Sequence, residues 1–313
     1  MEFDWLEDFL ALVETGSFSR AAEKQNVSQP AFSRRIRMLE TWLGAPLFDR
    51  ATHRIELTQA GEQFRPIAED VLRRLLNGRD QVREAAAGGT SALKFASTHA
   101  LSITFFPDWL ERIETEKNFA ASVSLVTDNM AGCEEIMLQG QAQFLLCHHH
   151  PSTPIPFMPN YFVSVVIGND TLTPVCAPAA DGASPLFALP GSMDAPVPHL
   201  AYSDVSGMGR ILAATLSRDG PPAWLAPAFT AHVATVLAAM ARTGRGVAWL
   251  PMSVVGRDLE AGSLVRAGGE EWDVPIDVRL YRARARQSPV AEQFWSIVKA
   301  MNEPADASRG ESS

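Results

Sequence analysis

Four polar side chains share one side of the segment 28–43: Gln29, Ser33, Arg34 and Arg37. These residue types hydrogen-bond base edges in a DNA groove and pair with backbone phosphates. The other side carries Phe32, Ile36, Leu39 and Leu43, spaced by four, three and four residues. At about 100° per residue they form one stripe, so the segment reads as a helix with an apolar back and a polar front. Net charge points the other way, because the 313-residue chain has a formal charge of −9. Its distribution reverses that reading. From Arg20 to Arg54, seven basic residues (Arg20, Lys24, Arg34, Arg35, Arg37, Arg50, Arg54) stand against three acidic ones (Glu23, Glu40, Asp49). A basic patch on an acidic body is the electrostatic footprint of a nucleic-acid surface.

A second set of candidates lies at the ends of segments that read as strands. These are Ser97, Thr98 and His99; Thr127 and Asp128; Cys147 and His148; Tyr202 and Ser203; and His232 and Val233. Ligands of open α/β sheets bind beyond the carboxyl ends of strands, often at helix N-termini. Plainer readings stay open. Ser97, Thr98, Asp128 and Ser203 serve equally well as helix caps. Cys147 is reactive if a neighbouring imidazole stabilises its thiolate, and inert if buried. His148-His149-His150 has the composition of a metal tract, but consecutive side chains on an extended chain diverge, so no metal site is expected. No P-loop, G-x-G-x-x-G, G-x-S-x-G or H-E-x-x-H pattern occurs, so neither an enzyme nor a bound cofactor is expected.

The elements that must position these residues follow from the pattern. An apolar face of Trp5, Phe9, Leu10, Leu12 and Val13 predicts a helix ended by Gly16. Ser19 is expected to cap a second, short helix, Asn26-Val27 to make a tight turn, and Ser28 to cap the third helix, with Pro30 in its first turn. Two short helices joined by a tight turn, the second with a polar front, make a helix-turn-helix. The alternating LFDRATHRIELT reads as a two-stranded wing carrying Arg50 and Arg54. Residues 58–87 read as one long helix with a seam of Phe64, Ile67, Ala68, Val71, Leu72, Leu75 and Val82, expected to pair with a second copy or else to pack on its own domain. Gly88-Gly89-Thr90-Ser91 reads as a hinge. Beyond it strands alternate with helices, among them YFVSVVIG and LTPVCAP as two strands, which predicts open, parallel α/β sheets.

SFSRAAEKQNVSQPAFSRRIRMLETWLGAPLFDRATHRIELTQAG closely resembles the DNA-binding domain of LysR-type transcriptional regulators, nearly without gaps over residues 3–61. The resemblance implies a winged helix-turn-helix (1–58), a linker and dimerisation helix with its hinge (59–89), and an effector-binding domain (90–313). The last is expected to be a two-lobed, periplasmic-binding-protein-like α/β fold, with lobe one at 92–166 and 268–302 and lobe two at 167–267. Ser19, Gln29, Pro30, Ser33, Arg34, Arg37, Arg50 and Arg54 sit where family members meet double-stranded DNA. The implied function is sequence-specific DNA binding modulated allosterically by an effector between the lobes, in a homodimer or homotetramer. A narrower resemblance links THALSITFFPDWL, SGMGR, GRGVAWLP and PVAEQFW to hypochlorite-responsive members. It implies a reactive chlorine oxidant acting on Met208. The alternative effector is a small organic anion, with Arg210 either as its carboxylate partner or as an ordinary surface charge. A two-lobed binding protein without DNA function leaves residues 1–60 unexplained.

The remaining composition gives the cytoplasm as the expected compartment. Glu2, Asp4, Glu7 and Asp8 interrupt any apolar leader, and no apolar run approaches a membrane span. Cys133, Cys147 and Cys176 are odd in number and widely spaced, which suits free thiols in the cytoplasm.

Overall fold

The structure is a computed structural model that describes residues 3–49, 55–86, 92–157, 159–216 and 222–302. The chain forms two compact units, Met1–Gly88 with Leu138–Gln141, and Gly89–Met137 with Ala142–Ser313.

The first unit opens with helices α1 (Asp4–Thr15), α2 (Phe18–Lys24) and α3 (Gln29–Leu43). Gly16 and Gly44 take left-handed φ of 59° and 75° and close α1 and α3. Left-handed backbone costs a side chain strain that glycine does not have, so both helices stop there. Asn26, at φ 54°, makes the turn between α2 and α3. The N-cap of α2 is Ser17, extended at φ −150°. Ser19 is therefore not the cap. It lies in the first turn of the helix and is exposed. Ser28, extended at ψ 144°, precedes α3, whose first turn contains Pro30. The apolar back of α3 is the centre of this unit: Phe32, Ile36 and Leu39 are fully buried with Phe9, Leu12 and Ala21. Phe9 packs on Phe48 and Phe64 at ring distances of 5.4 and 5.2 Å. Strands β1 (Phe48–Asp49) and β2 (Glu56–Leu57) pair antiparallel as a wing. Arg50, Arg54 and the hinge at Gly88-Gly89-Thr90-Ser91 lie outside the described residues.

Helix α4 (Gln59–Ala86) follows. Its seam splits. Ala68 and Leu72 are buried and Phe64 packs on the core, whereas Ile67, Val71, Leu75 and Val82 are exposed. No helix among the described residues is long and apolar enough to cross a membrane.

In the second unit β3 (Leu93–Thr98) leads to α5 (His99–Thr104) and α6 (Phe106–Lys117), then β4 (Val123–Asp128), α7 (Met130–Leu138) and β5 (Phe144–His149). The chain continues through β6 (Phe162–Cys176), β7 (Val197–Tyr202), α8 (Gly207–Leu216), β8 (Leu225–Ala231) and α9 (Ala234–Arg242). It ends with β9 (Ala248–Pro251), α10 (Met252–Glu260), β10 (Val265–Arg266), β11 (Val274–Ala283) and α11 (Pro289–Asn302). One sheet runs β10-β6-β11-β5-β3-β4, with β9 also on β6, and β7-β8 form a separate parallel pair.

Two features depart from the parallel-lobe expectation. The two strands read from YFVSVVIG and LTPVCAP are one continuous strand, β6. It pairs antiparallel with β11 from Val274↔Leu172 to Ala283↔Phe162, and with β9. The polar run at Gly168–Asp170, which resembles a turn, is where β6 passes between two hydrophobic cores. Ile167 belongs to a core with Phe95, Trp109, Phe144 and Phe294, and Leu172 to one with Leu200, Ile211, Leu237 and Trp249. On β11 the same change falls between Ile276 and Val278, beside a bulge at Val278/Arg279. The second lobe's core therefore extends past the expected boundary at 268. Trp272 explains this, since its carbonyl accepts the indole N–H of Trp249 at 3.0 Å and its ring lies 6.3 Å from that indole.

Candidate functional site

The front of α3 is built as its periodicity predicts. Gln29, Pro30, Arg34 and Arg37 are exposed, and Ser33 is half-buried, its carbonyl accepting from Arg37 Nε at 3.3 Å. Other basic residues of the patch are engaged inside the unit. Arg35 pairs with Asp8 at 3.5 Å and with Asp4 at 3.6 Å. Burial raises the Asp8 pKa and Arg35 opposes that rise. Lys24 pairs with Glu14, and Arg20 donates to the Thr15 carbonyl at 2.7 Å. Arg34 and Arg37 are left as the outward cations of the helix.

The second site collects the ends of β3, β4, β5 and β8 against the start of α8. Six of the expected residues line one cavity of about 30 Å³: Thr98, His99, Asp128, His148, Met208 and His232. The rings of His99 and His232 stand 5.7 Å apart. Thr98 precedes α5 without a side-chain capping bond, and its hydroxyl has no hydrogen-bond partner among the described residues. Nor does Asp128 cap α7. Its Oδ1 accepts from Asn129 N at 2.6 Å, and Asn129 Oδ1 accepts from Gly132 N at 3.1 Å, so Asn129 is the cap.

The other candidates lie elsewhere. Ser97 is fully buried and its Oγ donates to the Thr98 carbonyl at 3.2 Å. Thr127 is exposed. Cys147 is fully buried, outside the lining, and burial pushes its thiol pKa up, so the reactive reading fails. Burial likewise raises the Cys133 thiol, to about 12. Tyr202 and Ser203 also stay outside the lining. Their hydroxyls are buried without partners among the described residues. Val233 acts through its carbonyl, which accepts from Val236 N at 3.1 Å at the start of α9. Among the described residues no cluster of three or more His, Cys, Asp or Glu is arranged to hold a metal.

Sequence reasoning missed three participants. Met130 also lines the cavity. Asp170, in the crossing segment of β6, has Oδ2 at 3.5 Å from His148 Nε2, while its Oδ1 accepts from Thr171 N at 2.8 Å and Ser253 N at 3.3 Å. Burial raises the Asp170 carboxyl pKa, but these partners outweigh it and hold the pKa below its usual value. Glu134 is the third. Arg210 NH1 donates to its Oε1 at 2.7 Å, so Arg210 already has a carboxylate partner from within the chain. Only Asp170 left a sequence signal, as the one charge in the polar break between two apolar strand runs.

Residues 3–62 match the family model of bacterial regulatory helix-turn-helix proteins of the lysR family, and residues 86–303 match the LysR substrate binding domain. The HTH-type transcriptional regulator YjiE of Escherichia coli (strain K12) is 31% identical over 301 residues, which cover 96% of this chain and 95% of the relative. The full-length structure of HypT from Salmonella typhimurium, described as a hypochlorite-specific LysR-type transcriptional regulator, is 30% identical. That match covers 96% of this chain and 99% of the other, with a TM-score of 0.57. Vibrio fischeri DarR, solved in complex with DNA, is also 30% identical, covering 95% and 98%, with a TM-score of 0.54. With both domains matched and a full-length relative above 30% identity, the chain belongs to the LysR family of helix-turn-helix transcriptional regulators.

Proposed function

We propose that this DNA-binding transcription regulator reads its operator with the front of α3, and that a reactive chlorine oxidant acting on Met208 is its effector. The observation that carries the DNA half is the outward pair Arg34 and Arg37 on a helix whose opposite face buries Phe32, Ile36 and Leu39 completely. Gln29, Pro30 and Ser33 share that front, and Ser19 on α2 together with Arg50 and Arg54 complete the proposed contact set. The proposed domain limits are 1–58, 59–89 and 90–313, and the proposed compartment is the cytoplasm.

The oxidant half rests on size and chemistry. Met208 is 7% exposed and faces the cavity of about 30 Å³. That volume holds one or two water-sized molecules, whereas drug-sized ligands need about 300 Å³ or more. Hypochlorous acid is of the smaller class. The thioether sulfur of Met208 takes its oxygen, and the chlorine leaves as chloride with the proton, so sulfur is oxidised by two electrons and chlorine reduced by two. The sulfoxide is polar where the thioether was apolar, which biases the packing of the lobes and, through it, the angle at which a dimer bends DNA. HypT, described as hypochlorite-specific, is a relative of matching length. In the Met208→Leu variant, operator affinity is expected to stay within twofold while the hypochlorite-induced change falls severalfold in a reporter assay. An unaltered response removes Met208 from the sensor. A small organic anion is the second reading, favoured by the N-termini of α7, α8 and α9, whose first residues line the cavity or adjoin it.

The exposed stripe Ile67, Val71, Leu75 and Val82 repeats at four, four and seven residues on α4, the pattern of a helix that pairs with a second copy of itself. A homodimer built on α4 presents two α3 helices to successive major grooves of a pseudo-palindrome, and pairing of dimers gives a tetramer. Leu75→Glu places a charge in that seam and is expected to cost about 2 kcal/mol per subunit. Sedimentation velocity should then show a smaller species at micromolar concentration. Unchanged sedimentation would exclude the seam as the interface.

A further inference from the structure

A second, smaller cavity of about 10 Å³ lies along α7, lined by Met130, Glu134, His148, His149 and Arg210 among others. Met130, His148 and Gly207 line both cavities. Helices α7 and α8 meet there closely. A Cβ at Gly207 would stand 3.3 Å from the Met130 side chain. Ala131 N donates to the Val205 carbonyl at 3.4 Å. One turn further along α7 from Met130, Glu134 receives Arg210 NH1 at 2.7 Å, and Arg210 Nε also donates to the Asp204 carbonyl at 3.4 Å. Among the described residues lining either cavity, Arg210 is the one arginine or lysine. His149 does not substitute for it as a fixed cation, because burial first and then the charge of Arg279 lower its pKa.

A carboxylate ligand entering here needs a permanent cation, and Arg210 is the candidate on chemical grounds. That cation is already bound by an internal carboxylate, with Glu134 8% exposed. An incoming acid therefore competes with a group tethered in place, whose effective concentration is about millimolar or higher.

We propose that Glu134 is a specificity-determining residue of the effector site: its carboxylate, seated on Arg210, occupies the place of a ligand carboxylate and closes the site to small carboxylic acids. The inference rests on the reading of this cavity pair as the effector site. It turns the organic-anion alternative into a question about one side chain.

The test uses the full-length protein, with formate and acetate as probes against chloride of equal ionic strength. Wild type, Glu134→Ala and Glu134→Ala/Arg210→Met are compared by thermal unfolding and calorimetric titration. Glu134→Ala is expected to melt lower, to be re-stabilised by either acid in a concentration-dependent way, and to bind it at least tenfold more tightly than wild type. The double variant is expected to lose that response. Glu134→Gln keeps the side-chain shape and supplies a folded comparison if the alanine variant does not fold; its expected gain is smaller but still depends on Arg210. Equal acid binding by wild type and either Glu134 variant overturns the proposal, as does an undiminished response in the double variant. Operator binding by each protein with and without acid is measured in parallel. Acid bound by Glu134→Ala without any change in operator binding would count against the effector-site reading, and normal operator binding beside a failed rescue would count against Glu134 alone.

Discussion

Phe32→Ala is expected to abolish operator binding while the effector unit still melts as a separate cooperative transition. Phe32 has no exposed surface, sits beneath the front of α3, and meets Phe18 edge-on at a ring distance of 6.1 Å. Truncating a buried phenylalanine costs about 3–5 kcal/mol, and small domains have only about 5–15 kcal/mol of stability. A unit of this size loses most of its margin, and α3 loses the surface that orients its polar face. The second unit has two cores of its own, around Phe294 and Trp249, and does not depend on Phe32. Scanning calorimetry with parallel DNA retention checks this. Full retention of operator affinity at 25 °C would mean that α3 is held by something other than its apolar back.

Arg34→Ala isolates the chemistry of that face from its support. The side chain is exposed, so its removal should leave both melting transitions unshifted. Loss of one good base-edge contact is worth about 1–3 kcal/mol, which corresponds to about a five- to 150-fold weaker operator complex. The salt dependence separates two roles. A phosphate contact lowers affinity for every sequence alike and reduces the slope of log affinity against log salt by about one, whereas a base contact relaxes preference at one operator position. Unchanged operator affinity would contradict the assignment of α3 as the recognition helix.

The DNA-binding half was legible because its signals are local. A stripe at spacings of four, three and four residues fixes which side of α3 is buried, and Gly16, Gly44 and Asn26 mark the places where only a left-handed residue fits. The cap of α2 was missed by two residues because Ser17 and Ser19 are chemically the same, and only backbone conformation distinguishes them. The effector half was less legible for a different reason. Every residue of β5 from Phe144 to His148 is buried, so no alternation tells which face Cys147 or His148 takes. Strand β6 serves two cores in succession, and its polar passage at Gly168–Asp170 imitates a turn. The Glu134–Arg210 pair joins residues 76 positions apart, a relation that no local pattern records.

A cluster of strand-end residues was therefore foreseeable, and only part of its membership was. Thr98, His99, Asp128, His148, Met208 and His232 meet around one cavity. Ser97, Thr127, Cys147, Tyr202 and Ser203 occupy neighbouring positions in the sequence and face elsewhere. Within a strand, a shift of one residue moves a side chain to the opposite face, so the carboxyl-end rule locates a site to within a residue or two and the sheet decides the rest.

We propose that this regulator grips DNA through α3 and that chemistry in the cavity beside Met208 changes that grip. The deciding experiment is footprinting of the purified full-length protein on DNA around its own gene, with and without hypochlorite at fixed salt. The protected region is expected to change in length or periodicity on oxidation in wild type and not in Met208→Leu. A footprint identical under both conditions, on DNA that the protein binds specifically, would contradict it.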